Sequence, residues 1–199
     1  MAKIRNRINE IPQGEPFSGS VFAGVGTRAA MDQSLSRLVK AAELERLAPG
    51  VFVRPKSNPY VGKVMPSAHA VAEAVANSIG AKVDVHGAEA LRRFGLTTQM
   101  PTQAVFYTTG PSRHLKLGQM AVMLQHVAAR KLALAGRPAG LALSALWYLG
   151  RGAVTPEVIA TIAQKLGPDE FLALCAAKTH MPAWMADTLF RYEQSTSHG

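Results

Sequence analysis

The side chains in this sequence best suited to chemistry are donors for nucleic acid, and they gather in one segment. Thr27, Arg28, Gln33, Ser36, Arg37 and Lys40 fall within the run Thr27-Arg-Ala-Ala-Met-Asp-Gln-Ser-Leu-Ser-Arg-Leu-Val-Lys40. A glutamine amide can pair with N6 and N7 of adenine, and an arginine can fork onto O6 and N7 of guanine. Gln33 with Arg28 or Arg37 therefore suits base edges. Ser36 and Lys40, with Arg46, Arg54 and Lys56 further on, suit phosphate oxygens, contacts that orient a protein on a duplex without reading its sequence. Taken singly, each side chain also fits the solvated face of an ordinary amphipathic helix; only the elements around them, in order, make the pattern specific.

Other constellations fall short of a catalytic or metal centre. The histidines at 69, 86, 114, 126, 180 and 198 show no HxH, HExxH or Cys/His pairing, whereas a metal needs three or four converging ligands. Cys175 lies in the apolar run Phe171-Leu-Ala-Leu-Cys-Ala-Ala177, the setting of a small buried hydrophobe. Gly24-Val-Gly26 lacks the third glycine and the parental strand of a dinucleotide loop. Gly110-Pro-Ser-Arg113 follows a run of β-formers, so its N–H groups and Arg113 could cradle a phosphate; a β-turn with an exposed arginine accounts for the same residues. No acid, base and nucleophile assemble. A non-enzyme without cofactor or metal is expected.

Charge points the same way. Lys and Arg number 22 against 13 acids, a net charge of +9, and such an excess suits a polyanionic partner because each neutralised phosphate releases counterions. Residues 1–63 carry ten Lys/Arg and five Asp/Glu, against twelve and eight in residues 64–199, so over half the excess sits in the first third. With 199 residues and 48% hydrophobic content, a core can form without disulfide or metal, and the composition is not that of a disordered chain. The longest apolar run, 139–150, is far short of the ~20 residues of a membrane helix. The charged start Met1-Ala-Lys-Ile-Arg-Asn-Arg7 is unlike a signal peptide, and one cysteine forms no internal bridge. A cytoplasmic protein with no membrane partner is expected.

The elements that must position the donors follow from periodicity. Ile4, Ile8 and Ile11 mark a helix over 3–11, stopped by Pro12 and Gly14. Phe17, Val21 and Phe22 are core candidates on a stubby second helix, and Gly24-Val-Gly26 makes a turn. Thr27 caps a third helix over 28–41 whose Met31, Leu35, Leu38 and Val39 form an apolar stripe opposite Ala29, Gln33, Ser36, Arg37 and Lys40, with Arg28 on the flank at the N-terminal end. Pro49-Gly50 turns a β-hairpin within 44–54. Together these compose a winged helix-turn-helix over 1–56. Prolines 55, 59 and 66 mark 57–66 as a linker. An α/β domain follows over 67–194: a Ser67-capped helix, strands near 82–85, 103–109, 114–117 and 120–126, a helix over 87–94, and helices over 128–135, 139–149, 155–166, 168–177 and 182–192. Residues 195–199 are a frayed tail. The fold class is thus α+β, a winged helix-turn-helix followed by a mixed domain ending in several helices.

The run Arg28–Lys40 followed by Leu47-Ala-Pro-Gly-Val-Phe52 resembles the N-terminal domain of AbiEi-type antitoxins. Gly87-Ala-Glu-Ala-Leu91, Gly95-Leu-Thr-Thr-Gln-Met-Pro101, Thr108-Thr-Gly-Pro-Ser-Arg113 and His126-Val-Ala-Ala-Arg-Lys-Leu132 resemble blocks of that family's C-terminal domain. The resemblance implies an antitoxin and autorepressor of a type IV toxin–antitoxin operon. Its winged helix would bind inverted repeats in its own promoter, as cooperative monomers or a dimer. Its C-terminal domain would oppose a nucleotidyltransferase-like toxin without a stable complex. The competing expectation is a protein-interaction module that uses the winged helix as a scaffold and has no specific DNA binding.

Overall fold

The computed structural model describes residues 2–60 and 62–197 and has a mixed α+β architecture. It divides into two compact units. The first takes the chain as far as Ala81 together with His114–Val122; the second takes Lys82–Arg113 and the chain from Met123 onward.

The first unit opens with α1 (Ala2–Glu10), β1 (Pro16–Ser18), a 3-10 turn (Gly19–Phe22), α2 (Arg28–Lys40), β2 (Glu45–Ala48) and β3 (Val51–Val53). Its strands form an antiparallel sheet in the order β1-β3-β2. Ile4 and Ile8 of α1, Phe17, Phe22, Leu35 and Leu38 of α2, Leu44 and Phe52 make one core, with Ile11, Met31 and Val39 packed at its edge. Val21, expected inside, is exposed. The stubby helix expected over 17–22 is a strand followed by a single 3-10 turn. Phe17 pairs with Phe52 across the sheet, which takes up the backbone of 16–18, and the Ser18 hydroxyl accepts the Ser20 N–H to start the turn.

Beyond β3 the chain does not run as a plain linker. Residues 56–64 form a hairpin of β4 (Lys56–Asn58) and β5 (Gly62–Val64), with Ser57 opposite Lys63. The prolines stand at its margins, where no ladder N–H is needed: Pro55 before β4, Pro59 after it, and Pro66 ahead of the Ser67 cap of α3 (Ala68–Asn77). The Ser67 hydroxyl accepts the Ala70 N–H at 3.1 Å. α3 packs against β1, so the compact first unit continues past 57–66.

The second unit carries β6 (Val83–Val85), α4 (Gly87–Arg93), β7 (Ala104–Thr108), α5 (Pro138–Leu149), α6 (Pro156–Leu166), α7 (Pro168–Ala176) and α8 (Ala183–Ser197). β8 (Arg113–Leu117) and β9 (Met120–His126) complete a four-stranded sheet of order β6-β7-β9-β8; their hairpin end, 114–122, is counted with the first unit. The helix expected over 128–135 is only a 3-10 turn, Ala129–Leu132, whose Leu132 is drawn into the core beside Tyr107 and Val127 of the sheet end. α5 is buried on nearly every side through Ala139, Gly140, Ala142, Leu143, Ser144, Ala145 and Leu146. α4 lies against it so closely that a Cβ on Gly87 would stand 2.2 Å from Tyr148 Cβ and 2.8 Å from the Ser144 carbonyl oxygen. α6 begins on the Thr155 cap with Pro156 in first position. The expected tail is helical as far as Ser197, and His198 and Gly199 lie outside the described residues. No helix among the described residues is long and apolar enough to cross a membrane.

Candidate nucleic-acid interface

α2 buries one face and must expose the other. Leu35, Leu38 and Ser34 turn inward, the Ser34 hydroxyl donating to the Ala30 carbonyl at 2.8 Å. Arg28, Ala29, Gln33, Ser36, Arg37 and Lys40 remain exposed, along a helix about 20 Å long at 1.5 Å per residue. Thr27 is extended and its hydroxyl accepts the Ala30 N–H at 3.3 Å, so Thr27 fixes where the helix begins. Arg28 is 92% exposed by side chain, with Asp32 Oδ2 3.9 Å from its Nε. An exposed contact of that length contributes little and leaves the guanidinium available.

Nearby acids are neutralised by other partners. Glu43 pairs with Arg5 at 2.5 Å, Glu10 with Arg7 at 3.2 Å, and Glu45 with Lys63 at 2.6 Å. Arg37, Lys40, Arg46 and Lys56 take part in no ion pair among the described residues. Arg46 stands opposite Phe52 on the sheet, its guanidinium 5.9 Å from the ring centroid, which steadies an otherwise exposed cation. The stem of Lys56 runs over Gly14: a Cβ there would meet Lys56 Cδ at 3.2 Å.

Arg54 is placed differently from its expected role. Its Nη1 donates to the carbonyls of Ile11 at 2.7 Å and Asn9 at 3.1 Å. A helix leaves its last carbonyls without partners, so Arg54 closes the end of α1 and serves the scaffold.

The Arg113 turn is stitched into the sheet. Gly110 N–H donates to Thr108 Oγ1 at 3.0 Å, Ser112 Oγ accepts the His126 N–H at 2.9 Å, and His126 Nδ1 lies 2.9 Å from the Gly110 carbonyl. The Gly110 N–H that a phosphate cradle would use is therefore engaged. Arg113 itself is half-buried at the start of β8.

Two clusters of the second unit had no clear sequence signal, because distant segments build them. His86 caps α4, its Nδ1 accepting the Ala88 N–H at 3.2 Å. Its ring lies 4.6 Å from that of Tyr107 and 5.2 Å from that of Tyr148. Burial holds the His86 pKa below its ordinary value and raises that of Tyr107. Trp147 is faced by the Arg130 guanidinium at 5.3 Å and the Lys131 ammonium at 4.7 Å. Elsewhere in the unit, hydrogen bonds from Arg92 above all, and from Arg93, hold Glu89 down to about 2. Burial, helped by Glu193, pushes the Cys175 thiol up to about 12, so it stays protonated and unreactive near neutrality. Among the described residues no three His, Cys, Asp or Glu gather to hold a metal.

The features passed over in the first unit are the β4–β5 hairpin and Tyr60, which is 94% exposed. A sequence signal existed, since no Asp or Glu occurs from Arg46 to Ala72. Pro55, Pro59 and Pro66 obscured it by suggesting a featureless linker. No curated protein and no solved structure matches the chain. One family model does, from α1 into the start of α7, and the chain accordingly belongs to the family of unknown function DUF6088, matched over residues 3–170.

Proposed function

We propose that this protein is a DNA-binding transcriptional autorepressor whose first unit is a winged helix-turn-helix, with α2 as recognition helix and β2–β3 as wing. The element order of helix, strand, short helix, helix and hairpin, with strands ordered β1-β3-β2, supports the assignment. The observation that carries it is the exposed surface of α2: Gln33, Ser36, Arg37 and Lys40 share the face opposite the core and Arg28 is exposed at the N-terminal end of a capped helix, while Arg5, Arg7 and Lys63 neutralise neighbouring acids. In this mechanism the N-terminal end of α2 enters the major groove. Gln33 and Arg28 or Arg37 read base edges; Ser36, Lys40, Arg46 and Lys56 hold phosphates.

We further propose, from the resemblance to AbiEi-type proteins, that the target is the protein's own promoter repeats. The second unit then acts as an antitoxin against a nucleotidyltransferase-like toxin, with no stable complex and no enzymatic step. The alternative of a protein-interaction module has one observation in its favour. Leu172 and Phe190, exposed 65% and 59%, line a groove with Cys175 and Leu189 between α7 and α8, edged by Lys178 and Glu193.

Binding of the purified protein to its own upstream DNA and to a scrambled duplex, across a salt series, tests the proposal. The upstream fragment should be preferred, with affinity falling by one or more orders of magnitude between ~50 and ~200 mM salt. Gln33→Ala or Arg28→Ala should cost about 1–3 kcal/mol and relax the sequence preference, whereas Lys40→Ala should weaken all duplexes alike. Equal, weak binding to both duplexes overturns the assignment and favours the interaction module. Loss of toxin suppression on co-expression, when the second unit is altered, tests the antitoxin role.

A further inference from the structure

The β4–β5 hairpin has properties that folding alone does not explain. Among the described residues it is a two-stranded sheet, and Lys56, Ser57, Asn58, Gly62 and Lys63 are all exposed. An isolated hairpin of this kind is marginal in water, yet three contacts hold this one. Lys63 Nζ meets Glu45 Oε2 of β2 at 2.6 Å, the Lys56 stem covers Gly14, and Asn58 Oδ1 accepts the Tyr60 N–H at 2.8 Å. Those contacts leave Tyr60 94% exposed. A large aromatic side chain at such exposure adds nothing to a core. Around it, the 46–72 stretch contributes Arg46, Arg54, Lys56 and Lys63 and no acid. The charge complements a polyanion, and the ring complements the sugars and base faces such a polymer exposes.

We propose that the β4–β5 hairpin is a second DNA-contacting arm. In it Lys56 takes a backbone phosphate, and the Tyr60 ring packs against sugar and base edges in the groove beside the segment that α2 reads. Lys63, already paired with Glu45, is the anchor that holds the arm to β2. The arm rests on the DNA-binding assignment above and adds to it a contact that recognises duplex without reading sequence.

Full-length protein is titrated against upstream duplexes carrying 2-aminopurine at successive positions toward one end, with wild type, Tyr60→Ala, Tyr60→Phe, Lys56→Ala and Lys40→Ala compared. Circular dichroism verifies folding, which an exposed tip residue should not disturb. Wild type and Tyr60→Phe should change the fluorescence at one flanking position. Tyr60→Ala should abolish that change and lower affinity about tenfold with sequence preference intact. Lys56→Ala should reduce the salt slope by about one. If Tyr60→Ala matches wild type in affinity and fluorescence while Lys40→Ala still weakens binding, the arm is overturned and the assignment of α2 stands. If wild type binds no duplex, both fall.

Discussion

His86 sets a proton against a hydrogen bond. Its Nδ1 must be unprotonated to accept the Ala88 N–H, and an imidazolium has no acceptor to offer. Burial lowers the folded pKa beneath the ordinary 6.5, so the neutral form is favoured by folding. That contribution is complete above 6.5 and is lost as pH falls through the lowered folded value. The denaturant midpoint should therefore decline on acidification below 6.5, and His86→Asn, which keeps a cap acceptor without titrating, should flatten that decline. One residue along, Gly87 is constrained by space. Gly87→Ala should destabilise the protein by about 1–3 kcal/mol or more through overpacking, read as a drop in thermal midpoint. Tyr148→Ala should not restore it: it removes Tyr148 Cγ but keeps the nearest obstructing atom, Tyr148 Cβ, and the Ser144 carbonyl.

Arg54 links residue chemistry to the assembly of elements. Because its guanidinium closes the end of α1 across the sheet, Arg54→Ala should lower stability by about 1.5–3 kcal/mol, the range for hydrogen bonds from a charged group. Where the variant is still folded, its DNA affinity should stay close to wild type, the reverse of what a phosphate contact predicts. Elements with local signals were legible in the sequence. α2 declares itself through the Thr27 cap and the Met31, Leu35, Leu38 stripe, the β2–β3 hairpin through Pro49-Gly50, and α6 through Thr155-Pro156. β1 was not legible, since three residues become a strand only by pairing with β3 more than thirty positions later. The β4–β5 hairpin was hidden by prolines that punctuate it without breaking it. Of the interface, the donors on α2 could be read from spacing. The scaffold role of Arg54 depends on where α1 ends in space, and no periodicity encodes that.

Across the whole molecule, sequence order and compactness part ways. The chain leaves the first unit after Ala81, returns to it at His114 and leaves again after Val122. A fragment ending at Ala81 therefore lacks nine residues of its own unit. Its α1–β3 region should show weaker amide protection in hydrogen exchange than the same region of the full chain; equal protection would mean that the returning hairpin adds nothing to that unit's stability. The same path limits how the protein can be inherited. A single recombination crossover that fused residues 1–81 to a foreign effector would leave the returning hairpin behind, so transplanting the whole unit requires two junctions. If α2 reads DNA as proposed, point substitution on its exposed face is an easier route to a new specificity than exchange of modules.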